Sequence, residues 1–365
     1  MEAAGSPLDR SSKLASARFR GDDAILFPLP LGEGQGEGMK YSKLGKNGPM
    51  VSAIGLGAGS ATTNFGERDD EVQIETVHRA MDLGVTLFDT ADRYMKGRHE
   101  RMLGRALKGR RDKVIVCSKF GNIDNPDGSK AYNGKPEYVR AACDASLKQL
   151  GIDTIDLYYL HRIDPDVRIE DTIGAMAGLV KAGKVRWLGL SEAGPSSLKR
   201  ASKIHPITAL QTEYSLWARD VEDKILPACR ELGIGFVAYS PLGRGLLTGN
   251  IRRIEDIAAH DIRRKQPRFR PGNFEKNLEL IRPLEAIAAK RGVTPAQAAL
   301  AWLLSRGEDV FPIPGTKQQK WLEQNVAAVD LALDKSEIET LSSTFKPGAR
   351  AGERYDPGYF VTLGA

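Results

Sequence analysis

The sequence predicts an α/β protein folded as a (β/α)8 barrel, with a short β-hairpin in front and a C-terminal helix and tail behind. Three observations carry that prediction. Eight short apolar runs alternate with segments whose apolar residues recur at helical spacing, the pattern of parallel strands joined by crossover helices. Several helical segments stop at glycine, as at Gly84, Gly109, Gly151, Gly183 and Gly233, where a residue without Cβ most easily takes a left-handed cap. The apolar runs also end in polar or ionisable residues, as expected where eight strands deliver side chains to one mouth.

Taken in order, residues 1–38 show no sustained periodicity and close on glycines alternating with polar residues. Such a stretch cannot bury enough apolar surface to offset the entropy of ordering it, so it is expected to be a disordered leader. Its four Lys and Arg against six Asp and Glu do not make a basic tail. Met39 is read as the natural start and residues 39–365 as a single barrel domain. Lys40 to Gly45, with a turn at Asn47, Gly48 and Pro49, forms the hairpin. The strands are expected at 53–57, 87–90, 114–120, 155–161, 185–191, 207–213, 235–240 and 310–314. Helices follow at 69–83, 99–107, 136–150, 169–181, 196–204, 222–232, 276–290 running on into 295–305, and 317–329. Pro136 and Pro295 stand where a first helical turn tolerates proline. A doubly wound fold has one local argument, Gly55-Leu56-Gly57-Ala58-Gly59-Ser60. As a dinucleotide fingerprint it is weak, since Ser60 replaces the third glycine and no helix begins there.

Composition narrows the classes. The chain has 365 residues, 41% hydrophobic and 27% charged, which suits a folded globular protein. No run approaches the ~20 apolar residues of a membrane helix, and the N-terminus lacks a signal-peptide pattern, so a cytoplasmic protein is expected. Cys117, Cys143 and Cys229 are odd in number and widely spaced, offering neither a disulfide framework nor a zinc site. The five histidines lack metal-binding spacing. A net charge of +6, with Lys and Arg dispersed, gives no case for nucleic acid. Without the leader, 49 Lys and Arg face 41 Asp and Glu, a balance of +8 that suits a ligand with several phosphates.

The strand ends carry the chemistry. Asp89 ends the second strand with Tyr94 five residues on, Lys119 ends the third and His161 the fourth. A phenol titrates near ~10, too high for acid-base work at neutral pH, and an ammonium within reach lowers it by favouring phenolate. Lys119 would supply that charge and Asp89 would hold it. His161 would orient a substrate oxygen while Tyr94 protonates it.

The runs 88–94 (FDTADRY), 118–121 (SKFG), 160–162 (LHR), 189–192 (GLSE), 210–215 (LQTEYS), 238–243 (AYSPLG) and 312–317 (PIPGTK) resemble the aldo-keto reductase superfamily. Within it the sequence is similar to the bacterial and plant branch that includes perakine reductase. The resemblance implies a TIM barrel that binds NADP(H) across its mouth and reduces aldehydes or ketones, with Asp89, Tyr94, Lys119 and His161 as catalytic tetrad. Ser191, Glu192 and Gln211 would meet the nicotinamide carboxamide and Tyr239 would stack on its ring. Ser240, Pro241, Leu242, Gly243 and Arg244 would wrap the pyrophosphate. Gly315, Thr316, Lys317, Gln324 and Asn325 would hold the adenosine end. Trp321 stands where the family often has a basic residue, which leaves NAD(H) as an alternative cofactor with Lys317 and Lys320 to compensate. Met95, Lys96, Arg98 and His99 also depart from the usual loop after the tyrosine.

Rival readings are weighed on the same residues. A short-chain dehydrogenase needs Tyr-x-x-x-Lys, and no tyrosine here has lysine four residues on. A Schiff-base aldolase leaves the Asp and Tyr partners unexplained. A sensor subunit that binds NADPH without turnover is the alternative from another class. The partner is a small carbonyl compound; the loops, with Phe65, Tyr132 and Trp217 and the tail aromatics Tyr355, Tyr359 and Phe360, suggest a bulky apolar ketone of the alkaloid or mycotoxin type. Sugar aldehydes and pyridoxal are the alternative substrates.

Overall fold

The structure is a computed structural model that describes residues 38–57, 69–125 and 130–356. The leader up to residue 37, Phe65, Tyr359 and Phe360 lie outside the described residues. The hairpin pairs β1 (Tyr41–Lys43) with β2 (Met50–Ser52) antiparallel. Its turn needs Gly48, where a Cβ would stand 1.9 Å from the Leu44 carbonyl oxygen.

Eight parallel strands follow: β3 (Leu56–Gly57), β4 (Leu87–Asp89), β5 (Ile115–Phe120), β8 (Ile155–Leu160), β9 (Val185–Ser191), β10 (Ile207–Glu213), β11 (Gly235–Tyr239) and β12 (Val310–Pro312). Each pairs with the next in that order. The ring closes where the Gly55 N–H donates to the Pro312 carbonyl at 2.9 Å. Between β5 and β8 a small hairpin, β6 (Asn122–Asp124) with β7 (Lys130–Tyr132), occupies a stretch expected to be loop. Strands of three residues are too short to show a period in sequence.

Helices α1 (Asp70–Asp82), α2 (Arg98–Leu107), α3 (Pro136–Leu150), α4 (Ile169–Lys181), α5 (Pro195–Ile204), α6 (Ile225–Leu232), α7 (Asn273–Arg291), α8 (Pro295–Leu304) and α9 (Gln319–Ala327) surround the strands, and α10 (Lys335–Thr344) follows. The main difference from the expected pattern lies after β11, where short 3-10 turns between Gly243 and Phe269 precede α7. No helix among the described residues is long and apolar enough to cross a membrane.

Two apolar layers result. Leu87, Cys117, Leu157, Tyr159, Ala209, Val237 and Phe311 fill the barrel interior, with Leu44 and Val51 of the hairpin region packed against them. Outward neighbours such as Phe88, Val116, Tyr158, Leu210 and Phe236 pack with the helices. Alternation along each strand explains the split, since successive side chains point to opposite faces. With both faces buried, the strands read as nearly unbroken apolar runs.

Candidate active site

The same alternation builds the site. On five strands the inward position two residues beyond an inward-facing apolar residue is polar: Asp89 beyond Leu87, Lys119 beyond Cys117, His161 beyond Tyr159, Gln211 beyond Ala209 and Tyr239 beyond Val237. All five therefore converge on the carboxyl end of the barrel.

Lys119 is fully buried. Its Nζ contacts Asp89 Oδ1 and donates to the Thr90 carbonyl at 2.7 Å, while Gln211 Nε2 donates to the other Asp89 oxygen at 2.8 Å. Burial alone would discharge this amine, but the negative charge of Asp89 opposes that and the pKa is raised. Lys119 thus stays an ammonium, 5.2 Å from the centroid of the Tyr94 ring. His161 meets the same ring edge-on, at 6.0 Å between centroids and 86° between planes. Burial, and then the cations Arg162, Lys119 and Arg93, push the His161 pKa well below its usual value. The imidazole is neutral, and its Nδ1 has no hydrogen-bond partner.

A cleft of about 1140 Å³ opens above this group. Asp89, Tyr94 and His161 line it, with Ser191, Gln211, Tyr239, Ser240, Pro241, Leu242 and Arg244, and with Gly315, Thr316, Lys317, Trp321, Gln324 and Asn325. Lys119 lies beneath the cleft. Glu192, Gly243, Tyr132 and Trp217 do not line it. Trp217 is 2% exposed and packs where a Cβ on Gly243 would come 2.9 Å from its ring. Glu192 is turned into a buried ion pair with Arg354. Sequence reasoning passed over Arg162, which lines the cleft and donates to Ser191 Oγ at 3.0 Å; it stands beside His161 in the Leu-His-Arg run, which was the available signal. It also passed over Arg93, held on Asp124 at 2.8 Å.

Backbone strain marks the same region. Five described residues with a Cβ have positive φ: Met95, Lys96, Glu192, Ser240 and Arg244. All follow the carboxyl ends of β4, β9 or β11. Such conformations persist only where surrounding structure holds them, and they cluster at functional sites.

The residues present fit a phosphate-bearing dinucleotide. Arg244 and Lys317 bring cations to the cleft wall, and α9 begins without a side-chain cap, leaving N–H groups suited to an anion. Lys320 Nζ stands 4.9 Å from the Trp321 centroid, so a positive charge accompanies Trp321. Among the described residues no group of three His, Cys, Asp or Glu side chains is placed to hold a metal ion.

Known proteins agree with this geometry. Residues 53–345 match the aldo/keto reductase family. A probable aldo-keto reductase 1 from Glycine max is 43% identical over 318 residues, covering 87% of this chain and 92% of that protein. Among solved structures, a glycerol dehydrogenase from Gluconobacter oxydans aligns with a TM-score of 0.74 at 29% identity, over 81% of this chain and 91% of that one. An aldo/keto reductase from Klebsiella pneumoniae, in complex with NADP and acetate, gives 0.67 at 27% identity, over 87% and 99%. Barrel, strand-end residues and relatives converge: the chain belongs to the aldo/keto reductase family and is an NAD(P)H-dependent oxidoreductase.

Proposed function

We propose that the protein reduces an aldehyde or ketone to the alcohol, with Tyr94 as the proton donor. The observation that carries this is the buried Lys119 and Asp89 pair beneath the Tyr94 ring, with neutral His161 edge-on to it. The chemistry supplied by bound NADPH is hydride transfer to the carbonyl carbon. Negative charge then grows on the substrate oxygen, and Tyr94 gives it a proton. The Lys119 ammonium stabilises the phenolate left behind, in a site whose low dielectric strengthens that attraction. Asp89, held by Gln211 as well as by Lys119, keeps the ammonium in place. His161, being neutral, can donate one hydrogen bond that fixes the carbonyl oxygen near Tyr94. Ser191 and Gln211 take the carboxamide in this reading, Arg244 the pyrophosphate and Lys317 the 2′-phosphate.

The rim around the tetrad bears on substrate class. Tyr132 and Trp217 lie away from the cleft, whereas Arg93, Met95, Lys96, Asn122 and Asp124 line it. Among the described residues, Arg93, Lys96, Asn122 and Asp124 offer hydrogen-bond partners to a carbonyl compound carrying hydroxyl groups, of the sugar-aldehyde kind.

Tyr94→Phe should lower turnover by ~10²-fold or more, the scale of a lost general acid, while NADPH binding by fluorescence titration stays near wild type. Unchanged turnover would remove Tyr94 from this role. A panel of sugar aldehydes, pyridoxal and aromatic ketones identifies the substrate class, and tight NADPH binding with no turnover on any of them would favour a sensor.

A further inference from the structure

Two polar side chains and a backbone N–H meet at Glu192 in a way that the carboxamide role does not explain. Its carboxylate accepts from the Tyr239 hydroxyl at 2.8 Å, from the Glu213 N–H at 3.2 Å, and from Arg354 at 2.7 and 3.2 Å. Glu192 is 2% and Arg354 8% exposed, so the pair is dry. The backbone at Glu192 is left-handed, with φ of 56°, which swings the side chain away from the cleft toward Arg354. Beside it, the Tyr355 hydroxyl bonds both the Tyr239 hydroxyl and Arg244, each at 3.0 Å. Two neighbouring residues of the C-terminal tail thus hold two side chains, Tyr239 and Arg244, that line the cleft.

The tail does not depend on Arg354 for its seat. Asn277 accepts from the Ala351 N–H and donates to the Ala351 carbonyl, both at 2.9 Å. Arg350 pairs with Asp220 at 3.0 Å, and Gly352 packs so closely that a Cβ there would lie 2.7 Å from the Pro267 carbonyl. Removing the Arg354 guanidinium would leave the tail anchored but strand the Glu192 carboxylate in a buried site. An uncompensated buried charge is strongly unfavourable, so Glu192 would move, and the Tyr239 hydroxyl would lose its acceptor.

We propose that Arg354 is a positioning residue for the nicotinamide end of the cofactor: clamped on Glu192, it fixes the Tyr239 hydroxyl and with it the ring face on which nicotinamide stacks. This rests on the reading above that Tyr239 is the stacking platform. It assigns Glu192 to the support of that platform in place of the carboxamide, and it makes the C-terminal tail part of the cofactor site from 162 residues away.

The test uses the full chain and two probes, NADPH and adenosine 2′,5′-bisphosphate, which carries the adenosine end alone. In fluorescence and calorimetric titrations Arg354→Ala should weaken NADPH by about tenfold or more, a lost charged contact's scale, and leave the bisphosphate within about twofold. Arg354→Lys should recover most of the NADPH affinity. Equal losses for both probes would mark Arg354 as merely structural and overturn the proposal, as would NADPH binding that Arg354→Ala leaves intact. If Arg354→Ala does not fold, the double variant Glu192→Gln with Arg354→Met removes both charges and is read by the same two probes. A wild-type chain that binds the bisphosphate but not NADPH would overturn the cofactor reading and this inference with it.

Discussion

Two residues before Tyr94, the Asp92 carboxyl is pushed up to about 7, first by burial and then by the neighbouring Glu100 carboxylate. One of its oxygens is buried without a partner. The folded protein therefore keeps a proton that the unfolded chain releases near 3.8. Between those values the native state binds more protons, so stability falls as pH rises through that window and stays lowered above it. Asp92→Asn should raise Tm at pH 8 by ~2 °C or more, with the gain shrinking toward zero as pH falls to about 4. A gain that is the same at both pH values, read by thermal melts, would show that the carboxyl is not the cause. At this scale the cluster at the barrel mouth was legible because Asp89, Lys119 and His161 each stand at the end of an apolar run, where a polar group has no structural excuse. Arg354 was not legible, because nothing near it in sequence says that its partner is Glu192.

Helix surfaces separate glycines that are required from glycines that are tolerated. Gly104 in α2 lies against α3, where a Cβ would come 2.1 Å from the Leu150 carbonyl oxygen. Gly174 in α4 has open space around its missing Cβ. Gly104→Ala should destabilise by about 1–3 kcal/mol through overpacking, while Gly174→Ala should stabilise by about 0.5–1 kcal/mol through helix propensity. Denaturant melts that gave both substitutions the same sign would refute this account of the α2 and α3 contact. The barrel strands and α1 to α9 were readable from period and caps, to within a few residues at their ends, since apolar spacing reports burial directly. The β6 and β7 hairpin and the turns between Gly243 and Phe269 were not, because their geometry depends on partners elsewhere in the chain.

For the whole molecule, closure of the barrel ties the two ends of the domain together. Gly55 bonds to Pro312, Lys40 Nζ donates to the Val329 carbonyl at 3.0 Å, and Met39 packs against the cluster of Ile54, Leu300, Ala328 and Val329. Met39 is thus already part of the domain's packing. A chain beginning at Met39 should match the full chain in Tm and in NADPH affinity. A loss of more than a few degrees or about threefold in Kd would place part of residues 1–38 within the functional unit.

The sequence by itself determined the alternation of strands and helices, hence the barrel, and placed Asp89, Lys119, His161, Gln211 and Tyr239 at the strand ends. It could do so because burial on both sheet faces leaves an apolar signature, and departures from that signature mark the mouth. Only the tertiary structure decided which of the family-implied residues face the cleft. Glu192 and Gly243 turn away through a left-handed backbone and close packing. Trp217 is buried, and a tail arginine, Arg354, pairs with Glu192. Those outcomes depend on contacts between residues more than a hundred positions apart, such as Glu192 with Arg354 and Asp89 with Gln211, and no local pattern encodes which charge will meet which.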